Sequence, residues 1–259
     1  MSQPQFHMKR ALFLFLLLFM AVGVSPLLNA FAAPAQKATP PASVMKHLKE
    51  GNRHFESGHP LHPHEDPRLR KKLEKGQHPE AIVVACSDSR VSPELIFDEC
   101  LGDLFVIRTA GNVLDSNGLA SVEYGISVLG TRVLVLMGHD YCGAIEKSLH
   151  LRGDVPEKPQ VHESTKKGKP LSPHLQGLVS QIQKNLRREA SQPVLNHGGD
   201  RFHAEAIQNV NAEAARWLEE STVIQSAVRS GQLKIVRALY DMRSGHVTFL
   251  EDAEAKPKK

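Results

Sequence analysis

The chain is poor in the residues that would make its architecture obvious. It has three cysteines in 259 residues, Cys86, Cys100 and Cys142, too few and too odd in number for a disulfide framework. Its positive charges are scattered apart from Lys166–Lys167 and the closing KPKK, so no clustered basic face points to nucleic acid. No internal repeat is visible, which excludes a solenoid or a propeller. With 41% hydrophobic and 23% charged residues, the chain can bury one sizeable core, and two full domains are not expected.

The longest apolar stretch, ALFLFLLLFMAVGV, follows Lys9 and Arg10 and precedes Pro26 and the small residues Ala30 to Ala32. It falls short of the roughly 20 residues that a spanning helix needs. A basic start, a short apolar centre and a small-residue exit describe a secretory signal peptide. Residues 1–32 are therefore expected to be removed, with cleavage after Ala32, and no cysteine near the cut suggests a lipid anchor. The mature chain is expected to be secreted, into the periplasm, without stable membrane association. Residues 33–42, rich in Pro and Ala, read as a linker; residues 43–254 form a single domain and residues 255–259 a basic tail.

Within the domain, Ser43 is a plausible N-cap for a helix carrying Met45, Leu48 and Phe55, which Gly51 should break. The loop behind it carries His54, His59, His62 and His64, but Pro and acidic residues interrupt them, which argues against a metal cluster. Three apolar runs, AIVVAC (81–86), LFVIRT (104–109) and RVLVLMG (132–138), read as strands buried on both faces. A helix with Leu119, Val122, Ile126 and Leu129 on one side precedes the third. A polar excursion follows over 151–173, then helices over about 175–188 and 203–230, then two strands joined by DMRSG. The fold class is α/β, a mostly parallel central sheet flanked by helices, with an antiparallel C-terminal edge hairpin.

Two segments end predicted strands: CSDSR at 86–90 and GHDYCG at 138–143. In an open parallel sheet, ligands collect beyond the carboxyl ends of the strands. His139 and Cys142, three apart, can aim at one point, and Cys86 completes a Cys2His set that suits zinc and leaves a fourth position for water. Asp88 and Arg90 alternate with Cys86, and an Arg90 pairing would keep Asp88 ionised and able to orient a metal-bound water. Cys100 has no partner at a useful spacing and reads as a buried hydrophobe.

ACSDSRV with RTAGN and GHDYCGA resembles the beta-class carbonic anhydrases, from about Gln77 to Ala144, with a looser match through QNV and LYDMRSGHV. The resemblance implies one zinc per chain on Cys86, His139 and Cys142, and reversible hydration of carbon dioxide to bicarbonate by zinc-bound hydroxide. Asp88 would orient that hydroxide and Arg90 would hold Asp88. It further implies that Gln77 hydrogen-bonds substrate, commonly from a neighbouring subunit, that Phe105 and Tyr124 line the carbon dioxide pocket, and that the Gly143 N–H borders it. A homodimer or homotetramer follows, because the family builds its pocket across a subunit interface. A bicarbonate-regulated subtype carries tryptophan three residues before the first zinc cysteine; Val83 stands there and the only tryptophan is Trp217. With Gln77, this favours the open-site subtype, whereas Arg108 occurs in both. The proton shuttle stays open among Asp140, Tyr141 and the histidines. The alternatives are a carbon disulfide or carbonyl sulfide hydrolase on the same zinc site, and a non-catalytic zinc module.

Overall fold

The computed structural model describes residues 39–63, 66–155, 170–187 and 202–250. The expected signal peptide, most of the linker, most of the 151–173 excursion, His64 and the basic tail lie outside them. Helices α1 (Pro41–Glu56) and α2 (Pro67–Leu73) lead into β1 (Ala81–Cys86), and α3 (Pro93–Ile96) leads into β2 (Leu104–Thr109). Helix α4 (Ser116–Ser127) precedes β3 (Val133–His139). Helices α5 (Gly143–Arg152), α6 (Pro173–Arg187), α7 (His203–Glu220) and α8 (Thr222–Arg229) then intervene before β4 (Lys234–Tyr240) and β5 (Val247–Leu250).

The five strands lie in the order β2-β1-β3-β4-β5, parallel except for the antiparallel β4/β5 pair. The chain leaves β1 on one side for β2 and returns on the other as β3, so the order reverses between β1 and β3. Alternation explains why these two strands are apolar throughout. Val83, Ala85, Val135 and Met137 face a core shared with Val44, Leu48, Ile96 and Phe97. Ile82, Val84, Leu134 and Leu136 face Val122, Val210, Trp217 and Ile224 on the other side. Burying each such valine or leucine is worth about 1.5–3 kcal/mol.

Four expectations change. The run in β2 is only half-buried along most of its length, because it is the sheet edge and no strand among the described residues covers its far side. Helix α1 begins at Pro41, before Ser43, since proline at a first helical position loses no hydrogen bond. Gly51 lies inside α1, where a Cβ would sit 1.7 Å from the Phe97 carbonyl oxygen; close approach to α3, not helix breaking, requires it. The single helix expected over 203–230 is two, because Ser221 turns extended and its hydroxyl caps α8 through the Ile224 N–H at 3.1 Å.

Candidate metal centre

Cys86 is the last residue of β1 and His139 the last of β3, so the strand-order reversal brings them to one crevice. Two residues on, Tyr141 takes a positive φ of 58°. That turn brings Cys142 back as the N-cap of α5. One ligand atom from each of Cys86, His139 and Cys142 lies within 4.8 Å of the others, and all three residues are buried. They are the one such group among the described residues.

The donor set fits a metal. His139 Nδ1 lies 2.8 Å from the Asp140 carbonyl oxygen, which only accepts, so the proton sits on Nδ1 and Nε2 presents a lone pair. That Nε2 is buried with no hydrogen-bond partner, a costly arrangement unless an electrophile takes the lone pair. Cys86 Sγ accepts the Gly111 N–H at 3.2 Å. Hydrogen bonding from the Cys142 thiol, with help from His139, lowers the Cys86 thiol to about 4 although burial opposes this. The same contact, together with burial, pushes Cys142 up. Metal ions bind cysteine as the thiolate, so a cation seated between the two sulfurs would displace their protons.

Asp88 stands at the mouth. Its Oδ1 accepts the Arg90 Nε at 2.8 Å and the Arg90 N–H at 3.0 Å, and its Oδ2 accepts Nη2 at 2.7 Å. This fork lowers the carboxyl to about 2, the Arg90 side-chain bonds being the main cause and burial opposing them. Arg90 Nη2 also reaches the Tyr141 carbonyl at 3.3 Å. Arg108 donates to the carbonyls of Cys86 at 3.0 Å and Asp88 at 2.7 Å, bracing the loop that carries both.

Gly143, the first residue of α5, lies next to Cys142 with an N–H that no helical carbonyl accepts. Gln77, Phe105 and Tyr124 are elsewhere. Gln77 is exposed before β1, beyond the strand end opposite Cys86, and six strand residues span roughly 17 Å. Phe105 pairs with Ile82 in register, roughly 13 Å along the strand from Cys86. Tyr124, 46% exposed, lies against Phe105 with ring centroids 6.1 Å apart. The three share the amino-end side of the sheet, and one chain does not bring them to the ligands. Glu123 accepts the Ser221 hydroxyl at 2.6 Å and braces the junction of α7 and α8. Cys100 is half-buried in a turn where its N–H reaches Asp103 Oδ2 at 3.0 Å, which corrects the reading of a buried hydrophobe.

Sequence reasoning missed the Gly111 N–H. Its only signal was the glycine of RTAGN, whose φ of 67° favours a residue without Cβ. It also missed how Asp140 is held: the fully buried carboxylate accepts His203 Nδ1 from α7 at 3.0 Å. Arg243 Nη2, on the turn after β4, donates to the Tyr141 hydroxyl at 2.8 Å.

Residues 81–247 match the carbonic anhydrase family model. Carbonic anhydrase of Mycolicibacterium smegmatis is 36% identical over 211 residues, covering 80% of this chain and 92% of that one. The Coccomyxa beta-carbonic anhydrase solved in complex with acetazolamide superposes with a TM-score of 0.58 at 25% identity, over 78% of this chain and 83% of that one. A structure from a study of two tetrameric beta-carbonic anhydrases of Sordaria macrospora gives 0.58 at 23% identity, over 80% and 96%, a likeness of fold. Matched along most of its length and carrying the Cys–His–Cys zinc site on its strand ends, the chain belongs to the beta-class carbonic anhydrases.

Proposed function

We propose that this chain is an exported, open-site carbonic anhydrase that hydrates carbon dioxide in a pocket completed by a second copy of itself. The observation that carries the activity is the buried Cys86–His139–Cys142 triangle, with its unpartnered Nε2. Zinc there supplies a Lewis acid that lowers the pKa of a water towards about 7. The chain's own groups do the rest. Asp88, kept ionised by Arg90, accepts a hydrogen bond from the attacking water and fixes its lone pair on the substrate carbon. Arg108 holds the Asp88 backbone in place for this. The Gly143 N–H donates to a substrate oxygen as charge develops on it.

The open-site reading is supported by the full engagement of both Asp88 oxygens with Arg90 and by Val83 where the regulated subtype has tryptophan. Assembly as a dimer or tetramer is supported by Gln77 and Tyr124 standing exposed at the other end of the sheet; a second copy turned end for end sets them over the zinc ligands. Export over residues 1–32 is supported by the basic, apolar and small-residue order of that segment.

Stopped-flow hydration of carbon dioxide, on protein recovered from the periplasm of an expressing bacterium, tests the reading. Zinc content and intact mass are measured on the same sample. The expected result is fast hydration, one zinc per chain, a mass lacking residues 1–32, and loss of rate in Asp88→Ala. Full zinc without hydration overturns the activity and turns attention to carbon disulfide; an uncleaved chain in the cytoplasm overturns export.

A further inference from the structure

A line of buried hydrogen bonds runs from α7 to the metal thiolate. Glu213, fully buried, is fixed by the Arg216 guanidinium at 2.7 Å and the Trp217 indole N–H at 3.1 Å. Its Oε1 accepts the Asn185 side-chain amide at 2.9 Å, and the same Asn185 Nδ2 donates to Asn209 Oδ1 at 2.8 Å. Asn209 Nδ2 then donates to the Gly111 carbonyl at 2.9 Å. The Gly111 N–H ends the line on Cys86 Sγ.

Its direction is set by chemistry. A carboxylate only accepts, so Asn185 must turn its NH2 towards Glu213; Asn209 must then accept with Oδ1, which leaves its own NH2 for Gly111. The Gly111 N–H and C=O belong to neighbouring peptide planes hinged at a Cα with no side chain. Holding the carbonyl's plane removes one of the two torsional freedoms at that Cα. A Cβ at Gly111 would lie 2.7 Å from Ile182 Cδ1, so substitution cannot stiffen this hinge. The stiffness has to come from outside the turn.

We propose that Asn209 is a positioning residue for the metal thiolate: by gripping the Gly111 carbonyl it keeps the Gly111 N–H on Cys86 Sγ and so sets the charge that this sulfur gives the metal. An N–H on a thiolate sulfur withdraws electron density, and outer groups of this kind tune metal affinity. Asn209 is fully buried, and its side chain reaches Cys86 only through Gly111. This rests on the zinc reading of the site.

The test uses the whole protein loaded with cobalt(II) and reads the thiolate-to-cobalt charge-transfer band and the cobalt affinity. Asn209→Leu keeps the bulk and removes the grip. The band is expected to move to lower energy, as the sulfur becomes more electron-rich, and the affinity to fall about 10–100-fold. Ile224→Ala, a cavity in the core that α7 and α8 share with the sheet, is expected to lower thermal stability and leave the band in place. An unmoved band in Asn209→Leu, or an equal shift in Ile224→Ala, overturns the proposal. Should Asn209→Leu not fold, Asn209→Ser takes its place, with the same expected shift. The unaltered protein loaded with cadmium-113 adds a readout free of substitutions: scalar coupling between the Gly111 amide proton and the metal is expected, and its absence overturns the proposal. Unaltered protein that bound no cobalt would overturn the zinc reading itself, an outcome distinct from binding with an unmoved band.

Discussion

The two ends of the parallel sheet are built to different standards. At the carboxyl ends the site is held in place: the ligands are buried, Asp88 is forked by Arg90, and Arg108 ties down the loop between them. At the amino ends Gln77 is exposed and Tyr124 is nearly half exposed, resting on Phe105. One end is preorganised for chemistry, and the other carries groups whose chemistry needs something brought to them. On the proposed reading, a second copy brings those groups to the finished end, and each chain carries half of a site at each end.

Breaking the finished end should cost most. Cys142→Ala is expected to abolish zinc binding and with it all hydration, measured by metal analysis and stopped flow. Metal-free protein left in air is expected to lose its capacity to take up zinc. Dioxygen would take two electrons from the Cys86 and Cys142 sulfurs and two protons from the thiols or solvent, giving a disulfide and hydrogen peroxide. Reductant restores uptake, and equal zinc recovery with and without reductant would refute this. Asp88→Ala should keep its zinc and lose on the order of 10²–10³-fold in kcat/KM, the range for removing one oriented polar group.

The unfinished end gives a sharper test by mixing. Gln77→Ala and Asp88→Ala chains are each expected to be poor enzymes. Unfolded together and reassembled, half of the dimers are mixed, and each mixed dimer contains one site with Asp88 from one chain and Gln77 from the other. Activity should recover to about a quarter of the unaltered level. No recovery would mean that each chain uses its own Gln77.

The smallest effect concerns pH. Asp88 titrates at about 2 in the folded chain against a usual 3.8. Its folded value is depressed, so the pairing stabilises the fold fully above the usual value, and the contribution is lost as pH falls through about 2. Arg90→Gln is therefore expected to lower the unfolding midpoint at pH 5–7. The gap should close between about pH 4 and pH 2; a gap of constant size across that range would show that Arg90 acts by packing.

How much of this the residues disclosed depends on distance along the chain. The β1 and β3 runs could be read because both faces are buried, so every position had to be apolar. LFVIRT has the same look, yet β2 is an edge, and composition does not distinguish an edge awaiting another surface from a covered strand. The ligands were legible because H-x-x-C and C-x-D-x-R each place chemistry within a few residues. Gly51 was misread as a breaker since its reason, the Phe97 carbonyl, lies on another element. The grip of Asn209 on Gly111 spans 98 residues, and the QNV run announces no role for it.

The chain's single tryptophan has an optical use. Trp217 is fully buried, and five hydrogen bonds lead from its indole nitrogen through Glu213, Asn185, Asn209 and Gly111 to the sulfur of Cys86. All indole emission therefore originates at one position wired to a zinc ligand. Metal binding at Cys86 is therefore expected to change the emission of that one indole, a signal that needs no label.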